Sequence, residues 1–162
     1  MGTTATQSCA MTWAGGLVNT TTATDNGTLW WAGNTSPDNQ SDNVSLRYST
    51  TADNGSSASF TEAGTVDYGN AVHQLALSYD HKYRPYMAAL LDNGSVRLHW
   101  SAAGSSIEAY NGGVVSDVGD SAKPIALTRS ADGKQLALSY HTNTSNGTDL
   151  KVVVIYADGT SN

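Results

Sequence analysis

The sequence predicts an all-β fold of antiparallel four-stranded repeats of about 60 residues, arranged as in a β-propeller. The segment Gln-Leu-Ala-Leu-Ser-Tyr occurs at 74–79 and again at 135–140, and a weaker copy occupies 9–13. Short runs rich in Val, Leu, Thr, Tyr and Trp are typical of strands. Asp-Asn-Gly and Asp-Gly, which favour tight hairpin turns, separate these runs. A repeat of this length indicates one supersecondary unit that is used several times.

The first predicted repeat spans residues 1–66 and opens with the weak copy of the repeated segment. Its short runs of strand-forming residues are separated by polar stretches rich in Ser, Thr, Asn and Gly. The sequence therefore predicts four strands, at 9–13, 28–33, 44–49 and 55–60.

The second predicted repeat spans residues 67–122 and follows the same series. Apolar Val96 and Leu98 alternate with polar Arg97 and His99, the pattern of a strand with one buried face. An Asp-Asn-Gly turn at 92–94 precedes this run. We expect strands at 75–79, 86–91, 96–101 and 104–110.

The third predicted repeat spans residues 123–162 and is incomplete, with strands expected only at 136–140 and 151–156. An unfinished sheet leaves an open edge that another chain can pair with. We therefore expect a homo-oligomer, or a fragment of a longer repeat protein. The alternative to a propeller is a β-sandwich or jelly roll, in which the similar strands are coincidental.

Charge and composition narrow the classes of partner. The net charge is −6 with only eight Lys and Arg, which argues against binding nucleic acid or an anionic membrane surface. No apolar run approaches the roughly 20 residues of a membrane span. The single cysteine, Cys9, rules out an internal disulfide, and we expect it to be a small buried hydrophobe.

The sequence also predicts an extracellular or cell-surface location. Charged residues are scarce, Ser, Thr, Asn and Gly are abundant, and Asn-x-Ser/Thr sequons are frequent, although a chain of this composition generates them by chance. The sequons lie at Asn19, Asn26, Asn34, Asn39, Asn43, Asn54, Asn93, Asn143 and Asn146.

No motif for catalysis, a metal or a cofactor is found in the sequence. The four histidines are scattered, and no calcium-loop pattern occurs. Nucleophile-elbow and phosphate-binding motifs are also missing. A glycosidase needs two paired carboxylates, and nothing in the sequence directs the two glutamates, Glu62 and Glu108, at such a partner. We expect a non-catalytic protein without cofactor or metal, and an enzyme acting on glycans is the weakest alternative.

The aromatic residues point to a carbohydrate ligand. Four Trp and eight Tyr outnumber the single Phe, and both types combine an apolar face with a polar edge. A sugar presents C–H groups on one face and hydroxyls around its rim. An aromatic ring beside an Arg and a carboxylate therefore suits a sugar, although core packing explains many of these rings equally well.

Residues 96–113 read Val-Arg-Leu-His-Trp-Ser-Ala-Ala-Gly-Ser-Ser-Ile-Glu-Ala-Tyr-Asn-Gly-Gly. This segment resembles one blade of the six-bladed fucose-binding β-propeller lectins of fungi and bacteria. The resemblance implies that Arg97 and Glu108 bind sugar hydroxyls and that Trp100 or Tyr110 stacks on the sugar.

Two functions are therefore expected, in order of preference. The first is a secreted or surface lectin-like module that binds a glycan, with fucose the sugar that the resemblance implies. The second is a structural or protein-interaction β-module that assembles into an oligomer or filament through its incomplete third repeat.

Overall fold

The computed structural model describes residues 9–14, 28–34, 42–50, 61–101 and 106–157. Eleven strands and no helix occur among them, which confirms the predicted all-β class. The strands form three antiparallel sheets, and in each sheet neighbouring strands are consecutive in the chain.

Each sheet is a simple meander. Sheet A contains β1 (Cys9–Ala14), β2 (Thr28–Asn34), β3 (Asn43–Thr50) and β4 (Thr61–Asp67). Sheet B contains β5 (Val72–Tyr79), β6 (Pro85–Leu91), β7 (Val96–Trp100) and β8 (Glu108–Ser116). Sheet C contains β9 (Ala126–Arg129), β10 (Gln135–Thr144) and β11 (Gly147–Tyr156).

Sheet B lies between the other two sheets and contributes to two hydrophobic cores. Its face towards sheet A includes Met87 and Ala89, which pack with Trp30, Val44 and Leu46. Its face towards sheet C includes Tyr86, Ala88 and Leu98, which pack with Leu136, Leu138 and Ile155. Every residue of β6 is buried, because both of its faces are covered. The first strands of the sheets are also neighbours, β1 against β5 and β5 against β9.

The first hairpins of sheets B and C have the same turn. In sheet B the Tyr83 N–H donates to the Asp80 carbonyl at 2.9 Å, and in sheet C the Gly133 N–H donates to the Ser130 carbonyl at 2.9 Å. Both donor residues are left-handed, with φ of 60° at Tyr83 and 69° at Gly133. The predicted Asp-Asn-Gly turn at 92–94 likewise joins β6 to β7.

The two copies of the repeated hexapeptide do not occupy equivalent strands. The copy at 74–79 lies in β5, the first strand of sheet B, whereas the copy at 135–140 lies in β10, the middle strand of sheet C. The strands expected in the third repeat were 136–140 and 151–156, so the sequence missed β9, which precedes β10 in sheet C. Sheet C has three strands among the described residues, and no sheet closes on itself there. The expected strand at 55–60 lies outside the described residues.

Candidate functional site

The four residues that the sequence singled out all belong to β7 and β8 of sheet B. Trp100 is paired with Glu108 across the two strands, so their side chains leave the sheet on the same face. Arg97 lies three residues before Trp100, and side chains alternate along a strand. The structure therefore brings Trp100 and Glu108 together and places Arg97 on the opposite face. The backbone of Tyr110 lies in β8, but its side chain is not among those described.

Arg97 lies on the face towards sheet A, two residues before the buried His99. The Tyr68 ring meets the His99 ring edge-on, with ring centroids 5.4 Å apart, and Tyr68 Oη lies 3.2 Å from His99 Nδ1. Burial and the Arg97 charge lower the pKa of His99 to about 4. Burial also raises the pKa of Tyr68, although the Arg97 charge opposes that shift. His99 and Tyr68 are therefore both uncharged at neutral pH.

Arg97 has one described ion-pair partner on this side of the sheet. Its Nη2 lies 3.8 Å from Asp117 Oδ1, and the Asp117 side chain is 69% exposed. An exposed pair at this distance contributes at most about 1 kcal/mol to stability.

Trp100 lies on the other face, beside Arg84. The Arg84 guanidinium carbon lies 4.8 Å from the centre of the Trp100 ring, a cation–π contact. The Tyr86 ring is stacked against Trp100 at 6.5 Å between centroids. Glu108 is exposed at the rim of this group. A flat aromatic ring, a cation and a carboxylate thus occupy one end of sheet B.

Arg84 is held in place by Asp80, whose side chain is completely buried. Arg84 Nη2 lies 2.6 Å from Asp80 Oδ2, and the Asp80 carboxylate also accepts the backbone N–H groups of Lys82 and Arg84. Arg84 Nη2 also donates a hydrogen bond to the carbonyl of Ala157, which follows β11. The Asp80–Arg84 pair therefore joins the first hairpin of sheet B to sheet C. Sequence reasoning missed it because Arg84 meets Trp100 and Ala157 only in the folded chain.

The outer face of sheet A carries a second group of similar chemistry. Strand pairing places Arg47 opposite both Trp31 and Glu62. The guanidinium carbon of Arg47 lies 5.5 Å from the centre of the Trp31 ring. Gly33 permits this arrangement, since the indole ring lies where a Cβ atom of residue 33 would be.

No protein-family model, curated protein or solved structure matches this chain. Within the described residues no three His, Cys, Asp or Glu side chains are grouped so as to hold a metal ion. The same residues include no helix long and apolar enough to cross a membrane.

The outer face of sheet C carries a row of exposed apolar side chains. Leu150, Val152 and Val154 of β11 alternate along this face and are 61%, 59% and 51% exposed. The intervening Val153 and Ile155 point to the opposite side, into the core with sheet B. Monomeric proteins rarely expose contiguous apolar rows of this kind, and such rows mark interaction sites.

Proposed function

We propose that this protein is a structural, protein-interaction β-module that assembles by packing a β-sheet of a second copy against the outer face of sheet C. The main support for the proposal is the burial of apolar side chains in the third strand of each sheet. In the third strand of sheet A, Val44 and Leu46 are fully buried against sheet B. In the third strand of sheet B, Val96 and Leu98 are fully buried against sheet C.

Leu150, Val152 and Val154 occupy the corresponding positions in the third strand of sheet C, and they are exposed. The same face of each sheet thus carries apolar side chains that a following sheet covers, and only sheet C lacks that cover within the described residues. Together with the neighbouring first strands, this supports a propeller-like series of repeats at 1–66, 67–122 and 123–162, with the last one incomplete.

The free edge of β11 supports the same proposal. In sheets A and B the third strand pairs with a fourth, whereas β11 pairs only with β10 among the described strands. Full burial of an aliphatic side chain contributes about 1.5–3 kcal/mol, and association costs about 4–15 kcal/mol. Three half-exposed side chains therefore do not suffice alone, and stable assembly requires the rest of the sheet face or its edge.

Light scattering coupled to size exclusion tests this proposal. We expect an oligomer or a longer assembly for the natural sequence and a monomer for Val152→Asp, because a carboxylate in the contact is costly to bury. Val118→Asp is the matched control, since Val118 is 61% exposed and lies on the side of β10 away from β11. A folded natural chain that remains monomeric at high concentration contradicts the proposal.

The second candidate function is carbohydrate binding by a non-catalytic, secreted or surface-exposed module. The specific observation that favours it is the group of Trp100, Arg84 and Glu108 at one end of sheet B. Trp100 is only half-buried, so the part of its ring that Arg84 and Tyr86 leave uncovered suits the C–H groups of a sugar, and the exposed carboxylate accepts hydrogen bonds from its hydroxyls. Fucosylated glycans are the first ligands to test, because the lectin resemblance covers this segment.

Glycan binding by Glu108→Gln and Arg97→Ala separates the two faces of β7. We expect Glu108→Gln to weaken binding at least tenfold at an unchanged melting temperature, because one acceptor of sugar hydroxyls becomes a donor. Arg97→Ala is the control and keeps its affinity, since Arg97 lies on the opposite face. Equal losses for both variants contradict a site at Trp100 and Glu108, and no binding to any glycan by the natural chain rejects this candidate.

A further inference from the structure

The three sheets pack on one another in chain order and in the same orientation. Sheet A presents one face to sheet B, and sheet B presents its other face to sheet C. Two faces remain without a neighbouring sheet in the described chain: the outer face of sheet C, with Leu150, Val152 and Val154, and the outer face of sheet A. The second is the face that would meet a preceding sheet.

The outer face of sheet A resembles in layout the face of sheet B that receives sheet A. On that face of sheet B the middle strand offers apolar Met87 and Ala89, and the third strand offers polar Arg97 and His99. On the outer face of sheet A the middle strand carries Trp31, and the third strand carries Arg47 and Ser45, of which Ser45 is buried. Both faces thus combine apolar middle strands with a polar third strand.

We infer that assembly is head-to-tail: the outer face of sheet C of one copy packs on the outer face of sheet A of a second copy. This inference rests on the proposed function and names its partner surface. The contact repeats the relation that joins sheet A to sheet B and sheet B to sheet C. Such an interface is heterologous, so it produces a closed ring if the rotation closes and a filament if it does not.

Mixing two variants tests the inference. Val152→Asp blocks the sheet C face, and Thr65→Arg blocks the sheet A face, because exposed Thr65 lies opposite Ser45 on β4. Each variant alone is expected to be monomeric. An equimolar mixture is expected to form a species of twice the mass of one chain and no larger, because it combines one intact face of each kind. Trp31→Ala serves as a second sheet A variant, and circular dichroism confirms that each variant is folded.

The outcomes separate this inference from the function on which it rests. If Val152→Asp assembles like the natural chain, the proposed function itself fails. If Val152→Asp is monomeric but both sheet A variants assemble normally, sheet C faces pair with each other and the head-to-tail inference is overturned. A mixture that remains monomeric, although each variant is folded, also overturns it.

Discussion

The buried histidine of β7 makes stability depend on pH. His99 has a pKa of about 4 in the folded protein against about 6.5 in the unfolded chain, through burial and the Arg97 charge. Below pH 6.5 the unfolded chain binds a proton that the folded protein does not, so its free energy falls relative to the folded state. We expect this group to lower the free energy of unfolding as pH falls from 6.5 to 4, by no more than about 3 kcal/mol. Urea unfolding at several pH values measures it.

His99→Gln is the control for this pH dependence. Glutamine does not titrate, so the variant is expected to lose less stability than the natural chain between pH 6.5 and 4. Carboxylates protonate in both proteins over this range, so only the difference between the two slopes belongs to His99. Parallel slopes contradict the assignment.

Gly133, in the hairpin between β9 and β10, has a left-handed backbone conformation that favours glycine. Gly133 has φ of +69°, and a Cβ atom there would lie 2.7 Å from the backbone nitrogen of His81. Gly133→Ala is expected to lower the free energy of unfolding by about 2 kcal/mol or more, from backbone strain and this contact. Gly69→Ala is the matched control, because Gly69 has φ of +61° and nothing within 4 Å of its added Cβ. Equal losses in the two variants contradict the contact between the hairpins.

The hairpin between β5 and β6 depends on the buried carboxylate of Asp80. Asp80→Asn removes the charge that pairs with Arg84 while preserving the size of the side chain. We expect a loss of about 3 kcal/mol in thermal or urea unfolding, because a largely buried guanidinium loses its counter-charge. Asp132→Asn, in the exposed equivalent hairpin of sheet C, is expected to change stability little, since an amide oxygen still accepts the Lys134 N–H. Similar losses in both variants contradict a special role for the Asp80–Arg84 pair.

The order of strands shows which parts of the fold a sequence of this kind predicts. Strands and turns follow from local residue types, as at 96–100 and 92–94. The position of a strand within its sheet does not, because Gln-Leu-Ala-Leu-Ser-Tyr suits any pleated and half-buried surface. The hexapeptide therefore forms the first strand of sheet B and the middle strand of sheet C, and pairing with distant strands determines which.

Only part of the candidate site could be predicted from the sequence, because contacts between residues distant in the chain depend on strand pairing. The sequence brought Trp100 and Glu108 into one region, and alternation along β7 accounts for the separation of Arg97. Arg84 lies outside that segment and reaches Trp100 only because β6 and β7 are paired.

The whole molecule is expected to unfold as one unit, because sheet B contributes to both cores. Leu46→Ala removes a side chain from the core between sheets A and B, and Leu138→Ala does so in the core between sheets B and C. Each substitution is expected to cost about 2–5 kcal/mol and to shift one common transition. Near-ultraviolet and far-ultraviolet circular dichroism during heating provide the measurement. Two separate transitions, each sensitive to only one variant, contradict this expectation.

The sequence of β11, the last strand of sheet C, is expected to favour aggregation when the outer face of that sheet is uncovered. From Leu150 to Tyr156 the chain reads Leu-Lys-Val-Val-Val-Ile-Tyr, with Lys151 as its only charge and no proline or glycine. Segments of this composition are prone to stack into cross-β fibrils, and single charges beside them act as gatekeepers. The surface of β11 that we propose for assembly is thus also expected to be prone to aggregation, with Lys151 as its gatekeeper.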